Sequence, residues 1–565
     1  MPPSPSQQLA ALAERYWRFE CEEIPLTAVM AGEETKDAVV FRESAADHER
    51  RNARAGALRV ELDGIDATAL SGTERATVAI LDHELDRLRR LHDVKAHLRP
   101  SIFPAGPDFT TVFWANSTGF SDADGARRFT DRLAMLPAYM ADAMENLRLG
   151  HAAGYRYPQA VLECAKANTR ALIAGKPETS PWLSPFRRTV AKSPVIDGER
   201  NRAEVIVRDG LFPSLQAFAN LLETELADGA RTSLSCAATD DGKEHYRVLV
   251  KWFTTTDMTP EQIHELGLAE VERISREIDA VAADAGFAGN VDGYRHHLVN
   301  DKAFRATSAD DLLGLAERTC KRIDGKIPAF FSRVPRMTYG VDSIPPAMAA
   351  AMPPAYAQPN PGDRSSAGIF WVSSLPEKCP TYIIPAVAVH EAWPGHLMHI
   401  GLMQEIDELP MFRRHGAIKY TACIEGWALY CEQLGLELGI YQTPHHHYGR
   451  LEMEMWRAAR LVVDTGIHWY DWSREQAIDY MAARLTLSRA TIAAEVDRYA
   501  ALPAQALGYQ IGGLKVRGLR AKAEKTLGPR FNLRAFHEVV MTACAVPLPV
   551  LEAIVDDWIA LQDRG

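Results

Sequence analysis

A chain of 565 residues exceeds the size of one ordinary hydrophobic core, so several domains or one large body of two halves is expected. Hydrophobic residues make up 47% and charged residues 24%, an average globular composition that excludes a disordered chain, a collagen-like repeat and a membrane bundle. Lys and Arg number 63 against 74 Asp and Glu, a net charge of −11 without a long basic run, which disfavours a nucleic-acid partner.

No apolar stretch reaches the roughly 18 residues that a membrane helix needs, so no membrane association is predicted. The first residues lack the charged-then-apolar order of a secretory signal, which makes the cytoplasm the expected location. The eight cysteines are scattered without a C-x-x-C pair and are expected to be plain thiols. No sequence feature indicates an oligomeric state.

Helical spacing of apolar residues dominates the first part of the chain. It pauses at 175–198, a stretch rich in Pro, Ser and Lys that is typical of a surface connection, and resumes over 199–331. Thr259 followed by Pro260 predicts one helix start in this block, because Thr can cap a helix and Pro fits its first turn. The two acids that follow Ser308 and Ala309 predict another.

The sequence changes character over 336–385, where prolines punctuate the chain and Gly368–Ser373 is typical of a short strand. Helical periodicity then returns and persists to the end. We therefore expect a mainly α protein, one large helical body with a small β-sheet near 365–385 at the rim of a deep active-site cleft. Residues 1–335 would form a helical N-terminal part that covers the cleft and residues 336–565 a metal-binding catalytic part, unless the two make one continuous body.

The segment from His390 to His396 begins like the H-E-x-x-H zinc motif and then departs from it. A zinc hydrolase needs side chains that converge on the ion, an open position for water and a carboxylate that takes the water's proton. On an unbroken helix, the six-residue spacing turns the second imidazole roughly 120° away from the first. Pro394 cannot continue a straight helix, and Gly395 relaxes the backbone further. We hypothesise that a bulge or local break returns His396 to the face of His390.

A second acidic motif follows at Glu425, with Glu432 seven residues later on an apparent helix. Seven residues are two helical turns, so both carboxylates point to the same side of an otherwise apolar stretch. Buried acids need a counter-charge, and a zinc ion would supply it for Glu425. Glu432 would then orient a metal ligand from behind, or else make an ordinary ion pair.

These motifs resemble a bacterial family of unknown function, DUF885, which is grouped with the zincin peptidases. The resemblance covers most of the chain, and its four strongest motifs occur in the family's order. Two residues depart from the family's pattern: His399 stands where Gln is expected, and Ser374 where Asn is expected. His399 is also an alternative to His396 as a ligand if the helix breaks elsewhere. The shared motifs are Val389–His396 (H-E-x-x-P-G-H), Glu425–Tyr430 (E-G-W-A-x-Y), Asp464–His468 and Leu502–Gly512.

The resemblance implies a helical zincin-like fold and a Zn²⁺ cofactor held by His390, His396 and Glu425. It also implies Glu391 as the general base. In similar enzymes a tyrosine from a late helix donates a hydrogen bond to the tetrahedral intermediate, and Tyr509 is the candidate here, with core packing as the alternative.

Helical and strand geometry suggests further site residues. Asp464 and His468 are four residues apart, so the carboxylate could fix the imidazole tautomer and direct its other nitrogen to substrate or oxyanion. A structural polar pair is the alternative. The strand at Gly368–Ser373, as an edge strand, would pair with an extended peptide unless it belongs to a purely structural hairpin. Its substrate-binding residues would be Gly368, Phe370 and Trp371.

We therefore expect a zinc-dependent hydrolase that cleaves amide bonds of short peptides, as an oligopeptidase or a carboxypeptidase. An enclosed cleft would admit only short or unfolded chains. A zinc hydrolase of non-peptide amides or esters and a catalytically silent zincin-fold binding protein are the alternatives. The expected partner is a small peptide or peptide-like substrate, with neither nucleic acid nor a membrane.

Overall fold

The computed structural model describes residues 2–32, 42–349, 352–362, 366–416 and 419–564. Helices make up 71% of the protein, and the described residues contain one three-stranded sheet. The prediction of a mainly α protein with a small sheet is therefore confirmed. Among the described residues, no helix is both long enough and apolar enough to cross a lipid bilayer.

The first half is a succession of helices, and both helix starts predicted there are confirmed. The Thr259 hydroxyl accepts a hydrogen bond from the backbone N–H of Gln262 at 3.3 Å, and the helix begins between them at Pro260. The helix capped by Ser308 begins at Ala309 and carries two aspartates in its first turn. The helices of this half are α1 (Pro5–Glu23), α2 (Pro25–Ala31), α3 (Ala45–Asp63), α4 (Gly72–Asp93), α5 (Pro107–Ser117), α6 (Ala123–Leu133), α7 (Leu136–Ala152), α8 (Gln159–Ile173), α9 (Ser184–Arg188), α10 (Pro194–Ile206), α11 (Phe212–Glu223), α12 (Gly242–Thr254), α13 (Pro260–Asp284), α14 (Val291–Asn300), α15 (Ala309–Asp324) and α16 (Ile327–Phe330).

The stretch 175–198 is more ordered than a surface connection. Short 3-10 turns form at Pro177–Thr179 and Pro181–Leu183, and α9 follows directly. Trp182 is fully buried, and its indole N–H donates to the Thr111 hydroxyl at 3.0 Å. The prolines misled the prediction because they stand at the first positions of helical turns, where a missing N–H is tolerated.

The small sheet includes the predicted strand, but it spans residues 339–372 and so begins earlier in the chain than expected. Its strands are β1 (Tyr339–Ser343), β2 (Ala355–Gln358) and β3 (Gly368–Val372), with α17 (Pro346–Ala349) between the first two. The strand order is β1-β3-β2, with β3 parallel to β1 and antiparallel to β2. The expectation that β3 is an edge strand is wrong, because both of its sides are paired.

The second half packs around a central helix, α21, which contacts both α18 and α25. A Cβ on Gly426 of α21 would lie 2.4 Å from the carbonyl carbon of Gly512 in α25, so the two backbones touch. A Cβ on Gly512 would lie 1.8 Å from the carbonyl oxygen of Ala422, and only glycine fits at either position. The helices of this half are α18 (Ile384–Glu391), α19 (His396–Met403), α20 (Met411–Arg414), α21 (Thr421–Glu437), α22 (Pro444–His468), α23 (Arg474–Ala482), α24 (Arg489–Ala501), α25 (Gly508–Leu527), α26 (Leu533–Thr542) and α27 (Leu548–Arg564).

Helices from both sides of residue 335 share one core. Helix α13 lies along α22, and a Cβ on Gly267 would meet the Leu461 side chain at 2.7 Å. Buried apolar residues from Leu9 to Ile559 form one continuous cluster. The boundary expected at 335/336 therefore does not divide the hydrophobic core.

Candidate metal centre

The two motif histidines lie on separate helices joined by a tight turn. Helix α18 ends at Glu391 and α19 begins at His396, with the Trp393–Pro394 peptide bond in cis between them. A Cβ on Gly395 would lie 1.9 Å from the carbonyl oxygen of His390, so the turn requires glycine. The two imidazole rings lie 4.8 Å apart with their planes at 90°. The expected break thus takes the form of one helix ending and another beginning.

A tryptophan from the next motif holds this turn in place. The buried indole of Trp427 donates its N–H to the carbonyl oxygen of Pro394 at 2.9 Å. One turn of α21 therefore supplies both the Glu425 carboxylate and the clamp on the histidine turn. Sequence reasoning assigned Trp427 no role, although its place in the E-G-W-A-x-Y motif was the available signal.

The side chains of His390, His396 and Glu425 converge. The Nε2 atoms of His390 and His396 lie 3.3 and 3.5 Å from Oε2 of Glu425. Each residue offers one ligand atom within 4.8 Å of the other two, and no other such group of His, Cys, Asp or Glu occurs in the described part of the chain. The structure therefore brings together the three predicted metal ligands.

This spacing fits a tetrahedral zinc ion. Bonds of about 2.0–2.1 Å at tetrahedral angles separate neighbouring ligand atoms by roughly 3.3 Å, which matches the measured 3.3 and 3.5 Å. The two imidazole contacts do not meet hydrogen-bond geometry, and Oε2 of Glu425 is buried without a hydrogen-bond donor. An unsatisfied buried carboxylate oxygen is costly, and a cation bound between the three ligand atoms would remove that cost.

The electrostatics of the site also favour a cation. Burial raises the pKa of Glu425, but the imidazoles of His396 and His390 outweigh burial and hold that pKa well below its ordinary value. Burial lowers the pKa of His390, but the carboxylates of Glu425 and Glu432 outweigh burial and raise it to about 10. Acidic groups thus surround His390 closely enough to stabilise positive charge beside it.

Glu432 holds His390 from the side opposite the ligand group. Its Oε1 lies 2.7 Å from Nδ1 of His390, which leaves Nε2 to face Glu425. Arg457 lies 3.7 Å from the same carboxylate oxygen, and the Tyr441 hydroxyl donates to the backbone carbonyl of Glu432 at 2.6 Å. A carboxylate behind a ligating imidazole would fix the ring and its tautomer, which is the first of the two roles expected for Glu432.

Glu391 lies beside the ligand group and is partly exposed. Its Oε1 is 4.0 Å from Nε2 of His390, and its Oε2 accepts a hydrogen bond from the backbone N–H of Ala357 at 2.8 Å. The carboxylate is therefore close to the position that a metal ion would take. It also connects the metal centre to strand β2.

The unpaired edge of β2 faces this centre. Ser373 donates its backbone N–H to the carbonyl of Pro354 at 2.9 Å, and pairing alternates along an antiparallel ladder. The backbone groups of Ala355 and Ala357 consequently point away from β3, and the N–H of Ala357 reaches Glu391. The free edge at the metal centre belongs to β2, a strand that sequence analysis missed because prolines surround it.

The three β3 residues predicted to bind substrate pack within the sheet region. Phe370 is fully buried, and the indole N–H of Trp371 donates to the side chain of Gln358 at 2.9 Å. A Cβ on Gly368 would lie 2.8 Å from Leu397. Because β3 is the central strand, its backbone pairs with β1 and β2 and cannot pair with a peptide.

Tyr509, the second residue of α25, is half-buried beside the ligand group. Burial raises the pKa of its phenol, and the nearby carboxylate of Glu425 raises it further. The Arg460 guanidinium carbon lies 4.6 Å from the centre of the Tyr509 ring. The glycine contact at Gly512 sets α25 against α21, so it positions Tyr509 relative to Glu425.

His468 lies away from the metal centre, and its predicted catalytic role is wrong. The ring is fully buried, its Nδ1 accepts from the backbone N–H of Cys236 at 3.1 Å, and its Nε2 donates to the carbonyl of Tyr499 at 3.0 Å. No hydrogen bond or ion pair in the described residues joins it to Asp464. Both ring nitrogens are already engaged, so neither can serve substrate.

Asp464 instead anchors the loop that leads to Tyr509. Its carboxylate accepts from the Tyr246 hydroxyl at 2.6 Å and from the backbone N–H of Ala504 at 3.1 Å. Ala504 adopts a left-handed backbone conformation with φ of 68°. The Asp464–His468 and Leu502–Gly512 motifs are therefore one structural unit in which α22 holds the start of α25.

His399 lies outside the ligand group, so the alternative in which it replaces His396 is wrong. Its ring is fully buried 5.8 Å from that of Trp427, and neither nitrogen has a hydrogen-bond partner in the described residues. Burial lowers its pKa to about 3, so the imidazole is neutral.

A family profile described as "Bacterial protein of unknown function (DUF885)" matches residues 25–555, which include every residue of the candidate site. The chain belongs to the DUF885 family. This membership confirms the resemblance to DUF885, whereas the grouping with the zincin peptidases stays a prediction. The family's description assigns no activity. No curated protein matches the chain.

Two solved structures share the fold of this DUF885 protein. The crystal structure of "the putative lipoprotein from Colwellia psychrerythraea" is 28% identical, with a TM-score of 0.91 over 99% of this chain and 100% of that one. A "putative lipoprotein of unknown function from Shewanella oneidensis" is 17% identical, with a TM-score of 0.74 over 97% and 99%, and shows the fold alone. Both descriptions contain the word lipoprotein, and the cytoplasmic location expected for this DUF885 protein stays a prediction.

Proposed function

We propose that the protein is a zinc-dependent hydrolase that cleaves amide bonds of short peptides. The observation that carries the proposal is the convergence of His390, His396 and Glu425 at tetrahedral spacing, with Glu391 beside them. Three protein ligands and one open position are typical of catalytic zinc sites, whereas structural sites use four. A bound zinc ion would polarise the scissile carbonyl and lower the pKa of a water molecule.

Glu391 is the proposed general base. Its carboxylate lies next to the ligand group and remains partly exposed, so it can take a proton from the attacking water and pass it to the leaving amine. Tyr509 is the proposed oxyanion donor. Its raised pKa keeps the phenol protonated at neutral pH, as a hydrogen-bond donor must be.

The outward edge of β2 favours a peptide substrate over a non-peptide amide or ester. Ala355 directs its backbone N–H and C=O away from β3, and so does the C=O of Ala357, whereas the Ala357 N–H donates to Glu391. An extended peptide can bind at the free groups as an additional strand. Such pairing uses the substrate's backbone and reads no particular side chain.

The test combines metal content with turnover. Purified protein should contain about one equivalent of zinc by mass spectrometry and should hydrolyse a panel of short peptides faster than simple amides that lack the flanking peptide backbone. Glu391→Gln should keep its zinc and lose turnover by a factor of about 10² to 10⁴, because only the proton transfer is removed. Glu408→Gln, the same change at an exposed position, should retain full activity.

Two results would contradict the proposal. Purified protein that contains less than about a third of an equivalent of zinc, and that loses no stability when a chelator is added, would favour a silent scaffold. Full turnover by Glu391→Gln would remove the proposed base. A preference for those simple amides over peptides would instead move the substrate class to non-peptide compounds.

A further inference from the structure

A cavity of about 720 Å³ lies apart from the candidate metal centre. Its walls come from α3, α4, α8, α12 and the segment that precedes α25, and none of the three metal ligands contributes. Gln505 lines the cavity four residues before Tyr509, so the cavity lies next to the segment that leads to Tyr509. This volume is in the range of small-molecule binding sites, about 300–1,000 Å³.

Aromatic side chains form much of the cavity wall. Trp252 and Phe253 are stacked with ring centres 4.6 Å apart, and Tyr157 donates its hydroxyl to the carbonyl of Pro100 at 2.6 Å. A fixed wall of this kind suits an aromatic or apolar ligand body.

The ionisable side chains around the cavity are mostly basic. Five arginines and two glutamates line it, although the whole chain carries a net charge of −11. Three of these arginines have carboxylate partners: Arg87 pairs with Glu84 at 2.8 Å, Arg99 with Asp241 at 2.8 Å, and Arg51 lies near both wall glutamates.

The other two arginines, Arg156 and Arg231, have no carboxylate within ion-pair distance among the described residues. Arg231 donates to the backbone carbonyls of Arg156, Ser233 and Ser235, and Arg156 donates to the carbonyl of His151. Both side chains are half-buried, and the pKa of Arg231 is lowered by its burial. The backbone contacts therefore fix two guanidinium groups at the cavity without neutralising them.

We propose that this cavity binds an organic carboxylate with an aromatic or apolar body, anchored at Arg156 and Arg231. Guanidinium groups bind carboxylates through paired, charge-assisted hydrogen bonds, and the ligand would supply the counter-charge that the protein lacks there. The two glutamates of the cavity wall disfavour a doubly charged phosphate more than a singly charged carboxylate. This site does not depend on the proposed hydrolase activity.

The test is calorimetric titration of the full-length protein with 3-phenylpropionate and its neutral isostere, 3-phenylpropionamide. The carboxylate should bind about tenfold more tightly or better, because only it can pair with the arginines. Arg156→Gln and Arg231→Gln should each weaken its binding about tenfold, and Arg231→Lys should retain part of the affinity. Arg127→Gln, an exposed arginine on α6, should bind like wild type.

Because carboxylates also bind zinc, the titration is repeated with chelator-treated protein and with Glu425→Ala. Unchanged affinity in both supports the arginine site. The proposal is overturned if the amide binds as well as the carboxylate, if neither Arg156→Gln nor Arg231→Gln weakens binding, or if metal removal abolishes it. Folding of each variant is checked by circular dichroism, and Arg231→Lys keeps the test valid if Arg231→Gln does not fold.

Discussion

Two regions of the protein contain buried histidine and carboxylate side chains, and they differ in whether the polar atoms have hydrogen-bond partners. In the metal centre, Oε2 of Glu425 is buried without a donor, and Nε2 of His390 faces it at 3.3 Å. In the Asp464–His468 region, both side chains are hydrogen-bonded. The His468 ring bonds to the backbone of Cys236 and Tyr499, and the Asp464 carboxylate accepts from the Tyr246 hydroxyl and the backbone N–H of Ala504.

The difference separates a candidate binding site from a structural anchor. Buried polar groups that are fully hydrogen-bonded stabilise a fold, whereas converging polar groups without hydrogen-bond partners are available to bind a ligand. Both regions place histidine and acidic side chains in the interior of the protein. The state of the hydrogen-bond partners distinguishes them, and the following substitutions test that distinction.

The largest effect is expected for Glu425→Ala. Removing one of three ligands should reduce bound zinc to below about a tenth of an equivalent after dialysis, as mass spectrometry would measure. Glu437→Ala on the exposed end of the same helix should keep its zinc. Retention of a full equivalent by Glu425→Ala would place the metal elsewhere.

His468→Ala should leave zinc content unchanged and should lower the free energy of unfolding by about 2–4 kcal/mol. The substitution leaves a cavity, and it leaves the Cys236 N–H and the Tyr499 carbonyl without hydrogen-bond partners. Urea unfolding would measure the loss, with the exposed His296→Ala as control. Loss of zinc without loss of stability would contradict the structural role of His468 and would place it in the metal centre.

Glu432→Gln should weaken zinc affinity about 10- to 100-fold, because the amide holds His390 less firmly and no longer supplies negative charge behind it. Competition with a chromogenic chelator would measure the change. An unchanged affinity would mean that the 2.7 Å contact with His390 does not support the metal.

Asp464→Asn should change the pH dependence of stability. Burial raises the pKa of Asp464 from its ordinary 3.8 to about 7, so the folded protein binds this proton more tightly than the unfolded chain. The resulting stabilisation is fully present below pH 3.8 and is lost as pH rises through about 7.

The neutral amide of Asp464→Asn does not titrate, so this variant should melt higher than wild type at pH 8, by on the order of 2 °C, with a smaller difference at pH 5. Calorimetry at the two pH values would measure it, with the exposed Asp279→Asn as control. Identical pH profiles for wild type and Asp464→Asn would show that the carboxylate is ionised throughout.

Much of the candidate site could be predicted from local residue types. Pro394 and Gly395 forbid a continuous helix through the first motif, and the spacing from Glu425 to Glu432 places both carboxylates on one helical face. The caps at Thr259 and Ser308 predicted two helix starts correctly. These inferences succeeded because each depends on neighbours within two helical turns.

The remaining features depend on residues far apart in the chain. Whether β3 lies at the edge of the sheet depends on β1 and β2, and whether His468 is free depends on Cys236, more than 200 residues earlier. Sequence spacing determined which side chains share a face, and the family resemblance implied the candidate metal ligands. Only the tertiary structure decided what each face meets, because the pairing of a buried polar atom is settled by the segment that packs against it.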